Sequence, residues 1–126
     1  MKTSKKDEVI DITDKIQQEI KKENFQNGLC HLFVLHTTCC ITAADLDPGT
    51  DLDLLDALRV IIPKLQYRHP HDPGHVPDHI LSSLIGPSLV VPIQNGEFLL
   101  GTWQRIILIE FDGPRERKIV YSLIKE

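Results

Sequence analysis

Between Tyr67 and His79 the chain reads Y-R-H-P-H-D-P-G-H-V-P-D-H and carries four of its six histidines, His69, His71, His75 and His79. Imidazole is the commonest protein metal ligand and the side chain that titrates nearest neutrality, so a histidine-dense segment points to metal binding or proton transfer. Three prolines and a glycine within it rule out a continuous helix or central strand and predict a stiff loop. The histidine spacings of two, four and four match no standard zinc signature. The expectation is therefore that two of the four reach a common site and that a third ligand arrives from elsewhere. His36 is the natural third, because it ends an apolar strand candidate and is followed by Thr37-Thr38. It is equally readable as a core histidine bonded to backbone. His79 falls near a predicted helix N-terminus, where the dipole disfavours imidazolium and preserves the neutral form that binds metal or acts as a base.

Two further groups of residues could do chemistry. Asp45, Asp47, Asp51 and Asp53 form an acidic cluster, but the glycine and glutamate of an EF-hand loop are misplaced. Most of these read as capping and solvated residues. Asp45 is retained as a candidate base because it closely follows an apolar strand. Gly101-Thr102-Trp103-Gln104-Arg105 holds the single tryptophan. A glycine before a bulky aromatic suggests a bulge, with Thr102 and Gln104 on the face opposite Trp103. Trp103 is expected either in the core or against a ligand. Arg68, Arg105, Arg115 and Arg117 offer guanidinium groups for a phosphate, although each alone is equally a surface charge. The three cysteines, Cys30, Cys39 and Cys40, lack C-x-x-C spacing and read as buried free thiols.

The elements that must position these groups follow from periodicity. Ile12, Ile16 and Ile20 mark an amphipathic helix over residues 12–22, capped by Thr13 or Asp14. Asn27-Gly28 is a turn, and Leu29–His36 is a strand whose two apolar faces predict burial on both sides. Thr37–Thr42 continues in β-prone residues. A second helix opens at Thr50, with Thr50 and Asp53 resembling a capping box, and stops at Pro63. A short helix begins near Pro77 and ends at Gly86-Pro87. Strands then follow at Ser88–Ile93, Phe98–Leu100, Arg105–Phe111 and Lys118–Ile124, with a tight hairpin at Asn95-Gly96. The pattern predicts one α+β domain over residues 1–126, with a mostly antiparallel sheet and about three helices.

Composition narrows the function classes. A net charge of −4 provides no basic footprint for nucleic acid. No apolar run approaches the roughly 20 residues of a membrane helix, and the lysine-rich start lacks a signal peptide's apolar core. A cytoplasmic protein is the default expectation.

Six motifs occur in order: H-T-T (36–38), Y-R-H (67–69), D-H-I (78–80), L-I-G-P-S-L-V-V-P-I (84–93), L-G-T-W-Q (100–104) and E-F-D-G-P-R-E-R (110–117). Together they resemble the YjbQ-like family, described as secondary thiamine-phosphate synthases, from about Ile10 onward. The resemblance implies a compact β-sandwich-like core, a homotrimer and polar pockets near subunit interfaces. It also implies weak condensation of a pyrimidine diphosphate with a thiazole phosphate, releasing pyrophosphate. His36, His69 and His79 match the family pattern. They become the expected catalytic and metal-binding set, with Zn²⁺ or Mg²⁺ as the ion, alongside Asp45 and Arg115. Thr37, Thr38, Arg68 and residues 101–105 become the expected substrate contacts. His71 and His75 depart from the family's loop, and A-A-D-L-D-P-G-T-D stands where an asparagine-glutamate run is usual, which marks a sub-branch.

Three functions are compatible with these residues. The first is a transferase of the thiamine-phosphate synthase type, which needs positioning and leaving-group stabilisation more than a strong base. The second is a hydrolase or lyase using a histidine-bound metal. The third is a trimer that binds a small phosphorylated ligand without turnover.

Overall fold

The computed structural model describes residues 1–126. In chain order the elements are β1 (Glu8–Asp11), α1 (Thr13–Lys22), β2 (Gly28–Val34), β3 (Cys39–Ala44), α2 (Thr50–Ile61), a 3-10 turn at Pro73–His75, α3 (Val76–Ile85), β4 (Ser88–Gln94), β5 (Glu97–Phe98), β6 (Arg105–Glu110) and β7 (Ile119–Lys125). The strands form a three-stranded sheet, β1-β6-β3, and a four-stranded sheet, β5-β4-β2-β7, and every pairing is antiparallel. The α+β fold expected from the sequence, with an antiparallel sandwich-like core and three helices, is the fold that forms.

β6 organises this arrangement. Its run R-I-I-L-I-E is apolar on both faces because both are covered. Ile106 and Leu108 pack between the sheets with Leu32, Val34 and Val91 and against Ile12, Ile16 and Ile20 of α1. Ile107 and Ile109, with Phe111 beyond the strand, face the other way onto Leu55 and Leu58 of α2 and Leu81 of α3. Fully burying one such side chain stabilises by about 1.5–3 kcal/mol, so the alternation along β6 fixes its register against both layers.

Several local expectations need correction. β2 is buried on one side only: Cys30, Leu32 and Val34 point inward, while Leu29 is 40% exposed on the outer face of the four-stranded sheet. α1 has Ile12 at its N-cap and no side-chain cap, because Thr13 instead exchanges hydrogen bonds with the backbone of Ile106. α2 begins after Gly49 at φ +89, so a left-handed glycine replaces the expected capping box. The Asn95-Gly96 hairpin forms as read, with both residues at positive φ (+53 and +80) and Ile93 paired with Phe98. Cys30, Cys39 and Cys40 are free and buried. Burial first, then nearby negative charge, pushes Cys30 up to about 12, which removes it as a nucleophile.

Glu110 continues the inward row of Ile106 and Leu108, placing a carboxylate at the open end of the sandwich. It is 0% exposed, and Arg117, 3% exposed, meets it through Nε at 2.8 Å and through Nη2. Glu110 accepts from Thr3 Oγ1 at 2.7 Å and from the Asp112 amide at 3.1 Å, so every buried polar atom here is satisfied. Burial alone would raise the Glu110 pKa; the bonds from Arg117, Thr3 and the Asp112 amide outweigh it and hold the pKa below the usual range. Arg117→Met is expected to cost about 3–5 kcal/mol, because it strands a buried charge, whereas Arg117→Met with Glu110→Leu recovers most of that loss. Urea unfolding checks this, and a loss under about 1 kcal/mol in the single variant contradicts it.

Candidate functional site

Above this ion pair lies a polar cleft of about 770 Å³. Three chain segments wall it. The β2–β3 connection supplies Leu35, His36, Thr37 and Thr38; the start of α3 supplies His75 and His79; and residues after β6 supply Asp112, Pro114, Arg115, Glu116 and Arg117. Arg117 joins floor to wall, since its Nη2 also donates to Thr38 Oγ1 at 2.8 Å and to the Thr38 carbonyl at 3.2 Å.

Hydrogen-bond directions fix the histidines. The Lys118 amide donates to His36 Nε2 at 2.7 Å, so Nε2 carries the lone pair and Nδ1 the proton. Burial first, then Arg117, lowers the His36 pKa, and Glu110 only partly opposes them. His79 Nδ1 lies 3.1 Å from the Thr37 carbonyl, which can only accept, so here Nδ1 is the donor and Nε2 keeps the lone pair. His69 lies outside the cleft lining. Its ring stacks on His79 at 5.3 Å between centroids and 7° between planes. His69 Nδ1 accepts from the amides of His71 and Asp72, each at 3.2 Å.

These bonds bear on the expected three-histidine metal set of His36, His69 and His79. A neutral imidazole has one in-plane lone pair, and those of His36 and His69 are already committed to backbone amides. Only His79 of the three retains one. The group whose donor atoms do lie within 4.8 Å of one another is His75, Asp78 and Asp112. It is a charge-paired cluster. Asp78, 1% exposed, accepts from Arg59 Nη1 at 2.6 Å and from Lys6 Nζ at 3.5 Å. Arg59 also clamps Asp7 and donates to the Phe111 carbonyl at 3.0 Å, with its guanidinium 5.3 Å from the Phe111 ring centroid. This clamp ties the first turn of α3, and hence His79, to α2 and to the end of β6. Asp112 pairs with Arg115 at 2.8 Å and lies 3.7 Å from His75 Nε2. Burial opposes its ionisation, but Arg115 and His75 hold its pKa low.

His75, like His71, reads from sequence as an exposed loop histidine that departs from the family form. Its four-residue spacing from His79 places both on one face only if the helix begins before Pro77, and it does. A 3-10 turn precedes α3, the helix starts at Val76 with Pro77 in its first turn, and both histidines reach the cleft.

Other expected site residues lie elsewhere. Asp45 accepts from Thr50 Oγ1 at 3.4 Å between β3 and α2 and does not line the cleft. Arg68 is exposed on the loop. Gly101–Gln104 is a turn closed by Gln104 N–H to the Gly101 carbonyl at 3.1 Å and by Gly101 N–H to Gln104 Oε1 at 2.8 Å. Thr102 is exposed there, and Trp103, at 71% exposure, is neither bulge nor core. Arg105 pairs with Asp11 at 2.7 Å and Asp14 at 3.2 Å. This turn stands at the opposite end of β6 from Glu110, about 17 Å away for a strand of that length.

The chain matches the family described as UPF0047 protein YjbQ-like over residues 1–126. It belongs to the YjbQ-like family. A UPF0047 protein of Methanocaldococcus jannaschii is 39% identical over 125 residues, covering 98% of this chain and 90% of that one. One from Archaeoglobus fulgidus is 35% identical, covering 98% and 97%. Among solved structures, the hypothetical protein APE1520 of Aeropyrum pernix superposes with a TM-score of 0.92 at 31% identity, covering 100% of this chain and 95% of that one. A conserved yjbq/upf0047 family protein of Clostridium acetobutylicum gives 0.88 at 38% identity, covering 98% and 96%.

Burial and then the Arg117 charge shift His36 toward its neutral form. Because its folded value lies below the ordinary 6.5, His36 contributes stability that is present above pH 6.5 and lost as pH falls toward the folded value. An NMR titration is expected to place the His36 midpoint below 6.5. A midpoint at or above that value contradicts the half-buried, amide-bonded geometry.

Proposed function

We propose that the cleft holds the phosphate groups of a small phosphorylated substrate and that the protein is a transferase of the thiamine-phosphate synthase type. The supporting observation is the convergence of Thr37, Thr38, His36, Arg115 and Arg117 on one polar cleft that also carries His79. In this reaction a thiazole nitrogen attacks the methylene carbon of the pyrimidine diphosphate. The carbon–oxygen bond breaks and pyrophosphate leaves. The nitrogen brings its own lone pair, so the protein's task is to orient both partners and stabilise the leaving group.

The charge balance suggests how the diphosphate is met. Arg115 is paired with Asp112 and Arg117 with Glu110, so both donate hydrogen bonds while adding little net charge. Mg²⁺ brought in with the diphosphate would supply the missing charge, with Asp112 and Glu116 as the carboxylates bordering the cleft. Zn²⁺ on three histidines has less support, given the committed lone pairs.

The outer face of the four-stranded sheet supports a homotrimer: Leu29, Val90, Leu99 and Ile124 are exposed together there. No helix is long and apolar enough to cross a membrane. The three free thiols favour a reducing compartment such as the cytoplasm.

Purified protein with pyrimidine diphosphate, thiazole phosphate and Mg²⁺ is expected to form thiamine phosphate. His36→Ala and Arg115→Ala are each expected to reduce the rate by at least about tenfold without changing the oligomer seen by light scattering. Equal rates in both variants would assign the activity to a contaminant. Binding of the diphosphate without turnover would make the protein a binding module.

A further inference from the structure

Trp103, the chain's single tryptophan, is 71% exposed on a stiff turn. Gln104 closes that turn twice: its amide donates to the Gly101 carbonyl at 3.1 Å, and its Oε1 accepts from the Gly101 amide at 2.8 Å. Arg105, two residues after the indole, is anchored to Asp11 at 2.7 Å and to Asp14 at 3.2 Å. The indole therefore stands on backbone that is already ordered, so covering it costs little conformational entropy. Leaving it in water forgoes the burial of about 150–250 Å² of aromatic surface. No residue from Leu99 to Gln104 is charged, so docking this turn strands no charge.

The outer face of the four-stranded sheet is its chemical complement. Leu29 of β2 lies in register between Pro92 of β4 and Ile124 of β7, and His31 lies between Val90 and Ser122. No Asp, Glu, Lys or Arg occupies an outward position within 29–33, 88–92 or 120–124. At one end of this face Leu29, Pro92, Leu99 and Ile124 border a groove of about 460 Å³. Its only charged lining residues, Lys125 and Glu126, sit at the end of β7. Trp103 does not line the groove of its own chain.

This face is too small to assemble by stacking on itself. Three strands of about five residues span roughly 14 Å by 17 Å, well short of the ~800 Å² per partner of a stable interface. Threefold symmetry also forbids self-stacking, because a closed ring of three is built from a heterologous interface in which one patch meets a different one. We propose that the Trp103 turn is that second patch, and that each subunit's indole docks in the groove beside Leu29, Pro92 and Ile124 of a second copy of this chain. This rests on the reading that the outer face assembles a homotrimer, and it names what covers that face.

With one tryptophan in the chain, fluorescence reports the contact directly. Wild-type protein, trimeric by light scattering, is expected to show blue-shifted emission shielded from acrylamide. Trp103→Ala and Ile124→Lys are each expected to weaken association at least about thirtyfold. Their circular dichroism is expected to match the wild type, because both side chains are exposed in the single subunit. The Ile124→Lys protein should emit to the red and quench freely. Trp103→Ala protein has no tryptophan but an intact groove, whereas Ile124→Lys protein keeps the indole. Adding an excess of the first to the second is therefore expected to restore the blue shift through one intact interface. A trimer whose Trp103 is open to quencher overturns this contact and leaves the trimer standing. A shielded Trp103 with no recovery on mixing overturns the groove as its seat. A wild-type protein that stays a single subunit overturns both.

Discussion

The buried pair of Glu110 and Arg117 is the interaction on which the cleft depends. A carboxylate at the inward end of β6 would be costly in an otherwise apolar sandwich unless a cation reached it. Arg117 does so from the segment leading into β7, and in the same reach it holds Thr38 by side chain and carbonyl. Thr3 completes the set from the chain's first residues. Three stretches distant in sequence, at Thr3, at Thr38 and from Glu110 to Arg117, are thereby fixed at one end of the sandwich, and Thr38 and Arg117 line the polar cleft there.

The same end of the molecule carries a second tie, and the two differ in what they control. Arg59, Asp7, Asp78 and Lys6 dock the first turn of α3 onto α2 and the end of β6. The Glu110 pair positions His36 and the threonines, whereas the Arg59 cluster positions His75 and His79. Both internalise their charge. The cleft therefore presents directed donors and acceptors with little net field, which suits recognition by hydrogen bonding more than by long-range attraction.

Sequence periodicity revealed most of the fold, because most helices and strands follow from apolar spacing and from Gly, Pro and Asn-Gly punctuation; the four-residue edge strand β1 is the one strand that spacing did not reveal. The strand β2 misled, since its outer residues are apolar yet open to solvent. The site was legible in part. His36, Thr37, Thr38, His79 and Arg115 do line one cleft. Residues 101–105 do not join it, because being in the same strand unit as Glu110 says nothing about which end of that strand a residue occupies. His69 was grouped with the ligands by motif, but lone-pair commitments inside its own loop can be seen only in three dimensions. His75 was undervalued because the 3-10 turn that extends α3 backward has no strong sequence signal.

The most direct test of the cleft's role is a crystal structure of the protein grown with a pyrimidine diphosphate and Mg²⁺. The account predicts density in the cleft, with phosphate oxygens on Thr37, Thr38, the Nδ1–H of His36 and Arg115, and the organic part against His79. Density confined to the apolar outer face of the four-stranded sheet, or a cleft holding only solvent at saturating ligand, would contradict it.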